Sequence, residues 1–127
     1  MSGEWVQLSE LRLDTANGIE ARATFEQTSP WFSGHFPEQP ILPGVALLSL
    51  VADLIRRQGE RLGRKMEICG LNRVRFKGSV RPGEEVQVTV RPGGRDSYVF
   101  TINSRERLIV QGVMEARASR EAVGESL

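Results

Sequence analysis

Prolines recur at every third position from residue 37 to residue 43, immediately before a long apolar segment. Each proline fixes its own φ and pushes the preceding residue toward an extended conformation, so residues 27–43 are excluded from helices and strand interiors. Polyproline II has about three residues per turn, and Pro37, Pro40 and Pro43 would therefore share one face. We predict a stiff connector that runs from His35 to the start of a helix.

The segment after this connector is apolar on nearly every side. From Val45 to Ile55 its polar residues are Ser49 and Asp53, which lie four apart and therefore share one helix face. Pro43 suits the first helical turn. Two glycines are candidate helix ends: Gly59 and Gly63. A helix this apolar is normally enclosed by the rest of its protein.

Alternating apolar and polar residues fill most of the remaining chain and predict strands. Two predicted strands, Trp5 to Leu13 and Ile19 to Phe25, flank a hairpin signal at Asn17-Gly18. After the helix we predict one long or two short strands in residues 66–80, and strands in residues 86–90, 98–102 and 108–117. One buried helix with five or six antiparallel strands indicates an α+β domain whose curved sheet wraps the helix.

Composition restricts the class of protein further. A length of 127 residues suits a single domain over residues 1–127, and we expect its polar tail, residues 120–127, to fray. The chain is 39% apolar and holds no apolar run near the ~20 residues of a bilayer span. The absence of a secretory signal and a single cysteine, Cys69, favour a reducing cytoplasm, and we expect Cys69 in the core. One histidine disfavours a metal site, and we expect no metal or redox cofactor.

Charge is distributed unevenly although the net charge is only +1. Residues 1–55 carry seven acids and two bases, whereas residues 56–81 carry nine bases and two acids. Such a basic stretch fits an acidic partner, although a solvated surface is its commoner explanation. Nucleic acid is not an expected partner, because no nucleic-acid-binding motif accompanies the charge.

The two ends of the connector carry the candidate chemistry. Histidine is the side chain whose ordinary pKa lies near neutrality, so His35 suits a general base. Gly44 and Val45 begin the helix, where free N–H groups and the positive end of the helix dipole attract an oxyanion. A base that faces such a site suits proton removal next to a carbonyl. A surface histidine in an ordinary linker is the alternative.

The string HFPEQPILPGVALL, residues 35–48, resembles the β-hydroxyacyl-acyl carrier protein dehydratases of the hot-dog fold, the FabZ/FabA type. Their signature is His-Phe-Pro-x-x-Pro-x-x-Pro-Gly before a central helix. Residues 70–77, GLNRVRFK, and 80–83, VRPG, resemble the family's strand after that helix. The resemblance covers roughly residues 18–119. It implies a hot-dog fold and a lyase of fatty acid or lipid metabolism that turns a 3-hydroxyacyl thioester into the 2-enoyl thioester and water.

The resemblance also implies the site residues. His35 would take the α-proton, and the amide of Gly44 would hold the thioester oxygen. Three neighbours would line the substrate: Phe36, Pro43 and Val45. In the family, the histidine and a helix carboxylate come from different subunits of a dimer, so a homodimer or larger oligomer is expected.

One position departs from the family. Ser49 stands where the family's helix carries its carboxylate, and Asp53 stands where it usually carries glutamine. Asp53 would substitute only from ~6 Å further along the helix axis. Alternatively, Ser49 holds a water that relays the proton. As a third interpretation, a partner chain supplies the carboxylate, or the protein no longer dehydrates.

The expected partner is an acyl carrier protein, or the substrate is an acyl-CoA. Arg73, Arg75 and Lys77 alternate along the strand after the helix, so they share one face and would dock an acidic carrier or its phosphopantetheine phosphate. A basic group near the helix end would assist: Arg56, Arg57, Arg61, Arg64 and Lys65. A solvated strand face is the alternative. Two other functions stay open: a non-catalytic subunit that binds a carrier or completes a partner, and an acyl thioesterase.

Overall fold

Six strands and one helix build the described part of the chain, which in this computed structural model comprises residues 6–14, 18–26 and 42–119. The elements are β1 (Val6–Asp14), β2 (Gly18–Phe25), α1 (Gly44–Arg61), β3 (Met66–Phe76), β4 (Glu85–Pro92), β5 (Ser97–Ser104) and β6 (Arg107–Ala118). The strands form one antiparallel sheet in the order β1-β2-β4-β5-β6-β3. The predicted α+β architecture is confirmed. The connector with His35 and Phe36, the Asn17 turn position and the tail of residues 120–127 lie outside the described residues.

Strand alternation decides which side chains face the helix. Val86, Val88 and Val90 on β4 are buried, as are Phe100 and Ile102 on β5. Together with the buried side of α1 they form one hydrophobic core. Residues between them point to the other side of the sheet, which we call the outer face. Within the described residues, no helix has both the length and the apolar character needed to cross a membrane.

The helix differs from its prediction at both ends. Pro43 is the N-cap in an extended conformation (φ −62°, ψ 147°) rather than a residue of the first turn. Gly59 lies buried inside α1, because the side chain of Met66 fills the space that a Cβ would need. Gly63, with φ +74°, follows the end of the helix as predicted. Val45 is 55% exposed, so α1 is open on one side instead of being fully enclosed.

Strand β3 is a single strand at one edge of the sheet, and it is irregular. Its register against β6 shifts between Ile68 and Gly70 and again between Asn72 and Arg75. Cys69 lies at the first shift and is exposed, so the predicted core position is wrong. The reason is that a bulged residue has no partner opposite on β6 and turns away from the core.

Candidate functional site

The start of α1 is held in place by the chain after β3. The backbone N–H of Leu42 donates to the carbonyl of Val80 at 2.8 Å, and both residues are buried. Pro43 then turns the chain into the helix, and no side-chain cap is recorded there within the described residues. The leading N–H groups of a helix lack intrahelical acceptors. The amides of Gly44 and Val45 are therefore a fixed, uncapped donor pair.

The ring of Phe76 packs directly on Gly44. A Cβ on Gly44 would lie 2.5 Å from the ring atom Cε1, so glycine is required here by packing as well as by ligand access. Phe76 is itself 50% exposed and ends β3. The sequence analysis did not place Phe76 in the site, although the Arg-Phe-Lys string was available as a signal.

Ser49 lies one turn after Val45 on the same, partly open side of α1. Among the described residues, its hydroxyl has no recorded hydrogen-bond partner, so it is available to a water or a substrate hydroxyl. The uncapped amides of Gly44 and Val45 lie at the start of this side of the helix. The geometry therefore places a hydroxyl, and no carboxylate, one turn inside the helix start.

Asp53 faces a different environment from Ser49. Its carboxylate accepts a hydrogen bond from Nε of Arg57 at 3.0 Å. It also lines a narrow gap beside the β1–β2 hairpin, whose other members include Val6, Leu8 and Phe25. The ion pair ties the Asp53 carboxylate to a residue one turn further from the helix start. This arrangement disfavours Asp53 as the substitute for the family's helix carboxylate.

Of the three basic residues predicted to share a strand face, two meet on the outer face of the sheet. Arg73 and Arg75 line one depression of about 460 Å³ together with Val99. Lys77 follows the end of β3, where its backbone N–H donates to the carbonyl of Ile109 at 2.7 Å, and it is not among the lining residues. Lys77 therefore lies just beyond the end of the strand, and the docking role of Arg73, Arg75 and Lys77 stays a prediction.

A nearly buried carboxylate that the sequence analysis missed lies outside the proposed site. The side chain of Glu84 is only 10% exposed and accepts hydrogen bonds from the hydroxyl of Ser104 and the backbone N–H of Arg81. Arg107 forms an ion pair with it at 3.2 Å. Burial alone would raise the pKa of Glu84, but these hydrogen bonds and the nearby arginine charges hold the pKa below its ordinary value. Glu84 thus fastens the start of β4 to the β5–β6 hairpin.

Comparisons with known proteins match this architecture. The family model ApeI-like, described as ApeI dehydratase, matches residues 11–113. The 3-hydroxyacyl-acyl-carrier-protein dehydratase FabZ of Oceanobacillus iheyensis is 35% identical over 95 residues, which are 67% of this chain and 68% of that protein. FabZ of Streptococcus equi subsp. zooepidemicus is 35% identical over 66 residues, 49% of this chain and 47% of that protein. The matched segment thus spans about half the length of the streptococcal relative.

Solved structures share the fold. The dehydratase heterocomplex ApeI:P from Xenorhabdus doucetiae superposes with a TM-score of 0.75 at 21% identity, covering 87% of this chain and 96% of that chain. The fluoroacetyl-CoA thioesterase FlK superposes with a TM-score of 0.65 at 13% identity, covering 89% of this chain and 93% of that chain. Dehydratases and thioesterases therefore share this scaffold, and fold alone does not choose between them. The family model covers most of the sequence, and the chain therefore belongs to the ApeI-like dehydratase family, of the hot-dog type.

Proposed function

We propose that the protein is a hydro-lyase that converts a 3-hydroxyacyl thioester into the 2-enoyl thioester and water. The observation that carries this proposal is the start of α1. There, an uncapped, glycine-led pair of amides stands at the end of the connector that begins with His35. Dehydration next to a thioester requires a base and an oxyanion site, and these are the two groups that the connector joins.

The reaction balances with the residues of this chain. His35 takes the proton from C2 of the substrate, and the electron pair moves onto the thioester oxygen, which the amide of Gly44 stabilises. The pair then returns to form the C2–C3 double bond as the C3–O bond breaks. The departing hydroxide takes a proton from the imidazolium and leaves as water, so no net acid or base is consumed.

Ser49 determines how the second proton transfer occurs. A serine hydroxyl is not an acid at neutral pH, but it can hold a water between the imidazolium and the leaving oxygen. We propose this relay rather than a role for Asp53, whose carboxylate is paired with Arg57 at 3.0 Å. General acid catalysis typically contributes about 100-fold or more, so the relay predicts a slower enzyme than a family member whose whole site is arranged around a helix carboxylate.

The substrate and the assembly follow from the same family. We propose that the acyl group arrives on the phosphopantetheine of a carrier protein or on CoA, without a metal or redox cofactor. Exposed apolar side chains lie along the β3 side of the helix: Val45, Leu71 and Phe76, at 55%, 48% and 50% exposure. β3 is also an edge strand. A second copy that covers these residues in a homodimer would close the site against water.

A second candidate function rests on Ser49 alone. If a partner chain supplies the carboxylate, this protein is a non-catalytic subunit that completes the partner's site. The purified protein would then lack activity, and Ser49→Glu would create it. In a working relay enzyme, Ser49→Glu brings little gain or a loss.

The test measures enoyl formation from a 3-hydroxyacyl thioester, by absorbance and by loss of one water in mass spectrometry. We expect His35→Ala to lower kcat at least about 100-fold and Ser49→Ala to lower it about tenfold. Unchanged turnover in His35→Ala would end the proposal. Asp53→Asn serves as the matched comparison, since a loss as large as that of His35→Ala would assign the acid to Asp53 instead. Release of free thiol without enoyl product would indicate a thioesterase.

A further inference from the structure

The segment between β3 and β4, residues 77–84, contains neither helix nor strand, and we call it the β3–β4 connection. The carbonyl of Val80 in this connection accepts the backbone N–H of Leu42 at 2.8 Å. Both residues are buried, so water does not compete for this hydrogen bond. Among the described residues, no other backbone hydrogen bond ties residues 42–43 to another element. The place where α1 starts therefore depends on the orientation of one peptide group in the connection.

The side chain of Glu84 holds the other side of that same peptide group. The C=O of Val80 and the N–H of Arg81 belong to one planar peptide unit and point in opposite directions. Oε1 of Glu84 accepts a hydrogen bond from the N–H at 3.1 Å. The backbone already closes this turn, since the N–H of Glu84 donates to the carbonyl of Arg81 at 3.1 Å. The additional side-chain bond therefore fixes the peptide between Glu84 and Leu42, and the peptide cannot rotate without breaking both contacts.

The charge of Glu84 strengthens the hydrogen bond to Leu42. Burial opposes ionisation of Glu84, but its hydrogen bonds from Ser104 and Arg81 and the nearby arginine charges hold its pKa below the ordinary value. It is therefore charged at neutral pH. Hydrogen bonds in a chain polarise one another, so a charged acceptor on the N–H makes the carbonyl of the same peptide a better acceptor. Glu84 thus acts on Leu42 through one intervening peptide.

The β5–β6 hairpin fixes the carboxylate of Glu84 in turn. Its second oxygen, Oε2, accepts a hydrogen bond from the hydroxyl of Ser104, which is fully buried, and pairs with Arg107 at 3.2 Å. The two oxygens therefore contact different parts of the molecule. Oε2 ties Glu84 to the sheet, and Oε1 ties the β3–β4 connection to Glu84.

The start of α1 is also held from its other side. The ring of Phe76, the residue directly before the connection, packs on Gly44. Val80 binds the backbone two residues earlier, at Leu42. Because these two contacts enclose the first turn of the chain into α1, any shift of Val80 is transmitted to the amides of Gly44 and Val45.

We infer that Glu84 is a positioning residue for the proposed dehydration, which holds the peptide between Val80 and Arg81 so that the leading amides of α1 keep their place at the thioester oxygen. This inference rests on the proposed function for the ligand of those amides. A misplacement of about 1 Å near a reacting group can cost about 100-fold in rate. Since the oxyanion forms only in the transition state, the loss of Glu84 should lower kcat and leave KM nearly unchanged.

The first measurement is a ¹H–¹⁵N NMR spectrum of the full chain, whose outcome does not depend on catalysis. In Glu84→Gln the neutral side chain polarises its peptide partner less, so the hydrogen bond from Leu42 weakens. We expect the Leu42 amide proton to move upfield and the Gly44 amide signal to shift with it. If Glu84→Gln does not fold, the same signals are read in Glu84→Asp, which keeps the charge on a side chain one methylene shorter and should shift both signals less.

The matched control is Ser104→Ala. It removes a buried hydrogen bond at Oε2 and leaves the contact of Oε1 with Arg81 in place. We expect this variant to lower the thermal unfolding temperature, as Glu84→Gln does, without moving the Leu42 and Gly44 signals. In the assay of enoyl formation, Glu84→Gln should lower kcat at least about tenfold with KM within about twofold, whereas Ser104→Ala should keep both within about twofold.

Three results would overturn the inference. The first is a Leu42 amide signal that does not move in the Glu84 variants. The second is an equal change of signals or of kcat in Ser104→Ala, which would reduce the role of Glu84 to general stability. The third is an unchanged kcat in Glu84→Gln although the signals shift. If the wild type forms no enoyl product but the signals shift as expected, Glu84 positions the start of α1, and only the proposed function is wrong.

Discussion

The two halves of the outer face of the sheet use their charges in opposite ways. On β1, β2 and β4 most charges pair with one another: Arg22 contacts Glu10 at 3.0 Å and Glu85 at 3.5 Å, and Arg12 contacts Glu20 at 3.9 Å. Arg91 on β4 is the exception, with no ion pair among the described residues. On β5, β6, β3 and the turn before β5, a group of arginines forms no ion pair among the described residues: Arg73, Arg75, Arg95 and Arg117. In the first half, ion pairs within the chain neutralise most of the charged side chains. In the second half, the positive charges of the arginines have no such partners among the described residues.

The half with paired charges therefore contributes to the stability of the fold, whereas the half with unpaired arginines is a candidate for function. Paired surface charges contribute a little to folding, whereas clustered unpaired cations contribute nothing or oppose it. Positions where the backbone is strained or the charges are unpaired within the chain are expected to be functional. The half with the unpaired arginines also has a strained backbone at Arg73, whereas β1, β2 and β4 have no positive φ at a described non-glycine residue.

The largest expected effect is on the free energy of unfolding, and it concerns Glu84, the nearly buried carboxylate that pairs with Arg107. Glu84→Gln removes the charge that Ser104, Arg81 and Arg107 bind. We expect it to lower the free energy of unfolding by about 1–3 kcal/mol at neutral pH, because the amide leaves charged donors unsatisfied. Urea unfolding of the wild type and the variant measures this difference. An unchanged midpoint would contradict the structural role of Glu84.

The pH dependence of this same difference sharpens the test. The folded pKa of Glu84 is lowered below the ordinary value of about 4.3. Its stabilising contribution is therefore fully present above the ordinary pKa and is lost as pH falls through the folded pKa. The difference between wild type and Glu84→Gln should stay constant from neutral pH down to about 5 and then shrink. A difference that grows on acidification would contradict the assigned direction.

Glycine substitutions at two positions of β3 should change the free energy of unfolding in opposite directions. Arg73→Gly relieves a left-handed conformation (φ +55°) and should raise the free energy of unfolding by about 0.5–1 kcal/mol. Arg75→Gly, the matched control at a regular strand position two residues later, should lower it by about the same amount. If Arg73→Gly destabilises the protein as much as Arg75→Gly does, the strain at Arg73 is not real.

The smallest effect compares one arginine from each half of the outer face. Arg22→Ala breaks contacts with Glu10 and Glu85 and should cost about 0.5–1 kcal/mol, an effect that high salt reduces. Arg95→Ala should change stability by less than about 0.5 kcal/mol, since no recorded contact is lost. Differential scanning calorimetry at low and high salt measures both. If both variants lower the stability equally, the two halves of the outer face do not differ in how their charges are paired.

Much of the fold could be predicted from local sequence. Alternation identified β4 and β5, the Gly18 hairpin placed β1 against β2, and the apolar run identified α1. The sequence offered two candidate ends for the helix, Gly59 and Gly63. The helix ends at Arg61, just before Gly63, whereas Gly59 lies inside it and packs against Met66, a tertiary contact that the sequence does not show. The exposure of Cys69 depends on a bulge, and bulges have no reliable sequence signal.

The site was predictable only where its residues are neighbours in the chain. Gly44, Val45 and Ser49 follow from one segment and its family resemblance. The contact between Phe76 and Gly44, and the approach of Arg95 and Arg117 to Arg73, depend on strand order and register over long sequence separations. Hydrophobic alternation alone does not specify which strands are neighbours. The positions of His35 and Phe36 relative to these residues stay predictions.

The most direct test of the proposed site uses the fact that the chain contains one histidine, so an NMR titration yields a single imidazole. The ligand is a 3-hydroxyacyl pantetheine analogue with an amide in place of the thioester. If His35 and the start of α1 face one pocket, the His35 imidazole and the Gly44 amide signals will shift together and saturate at the same ligand concentration. A ligand that binds while the imidazole signal stays unchanged would contradict the arrangement on which the proposed dehydration depends.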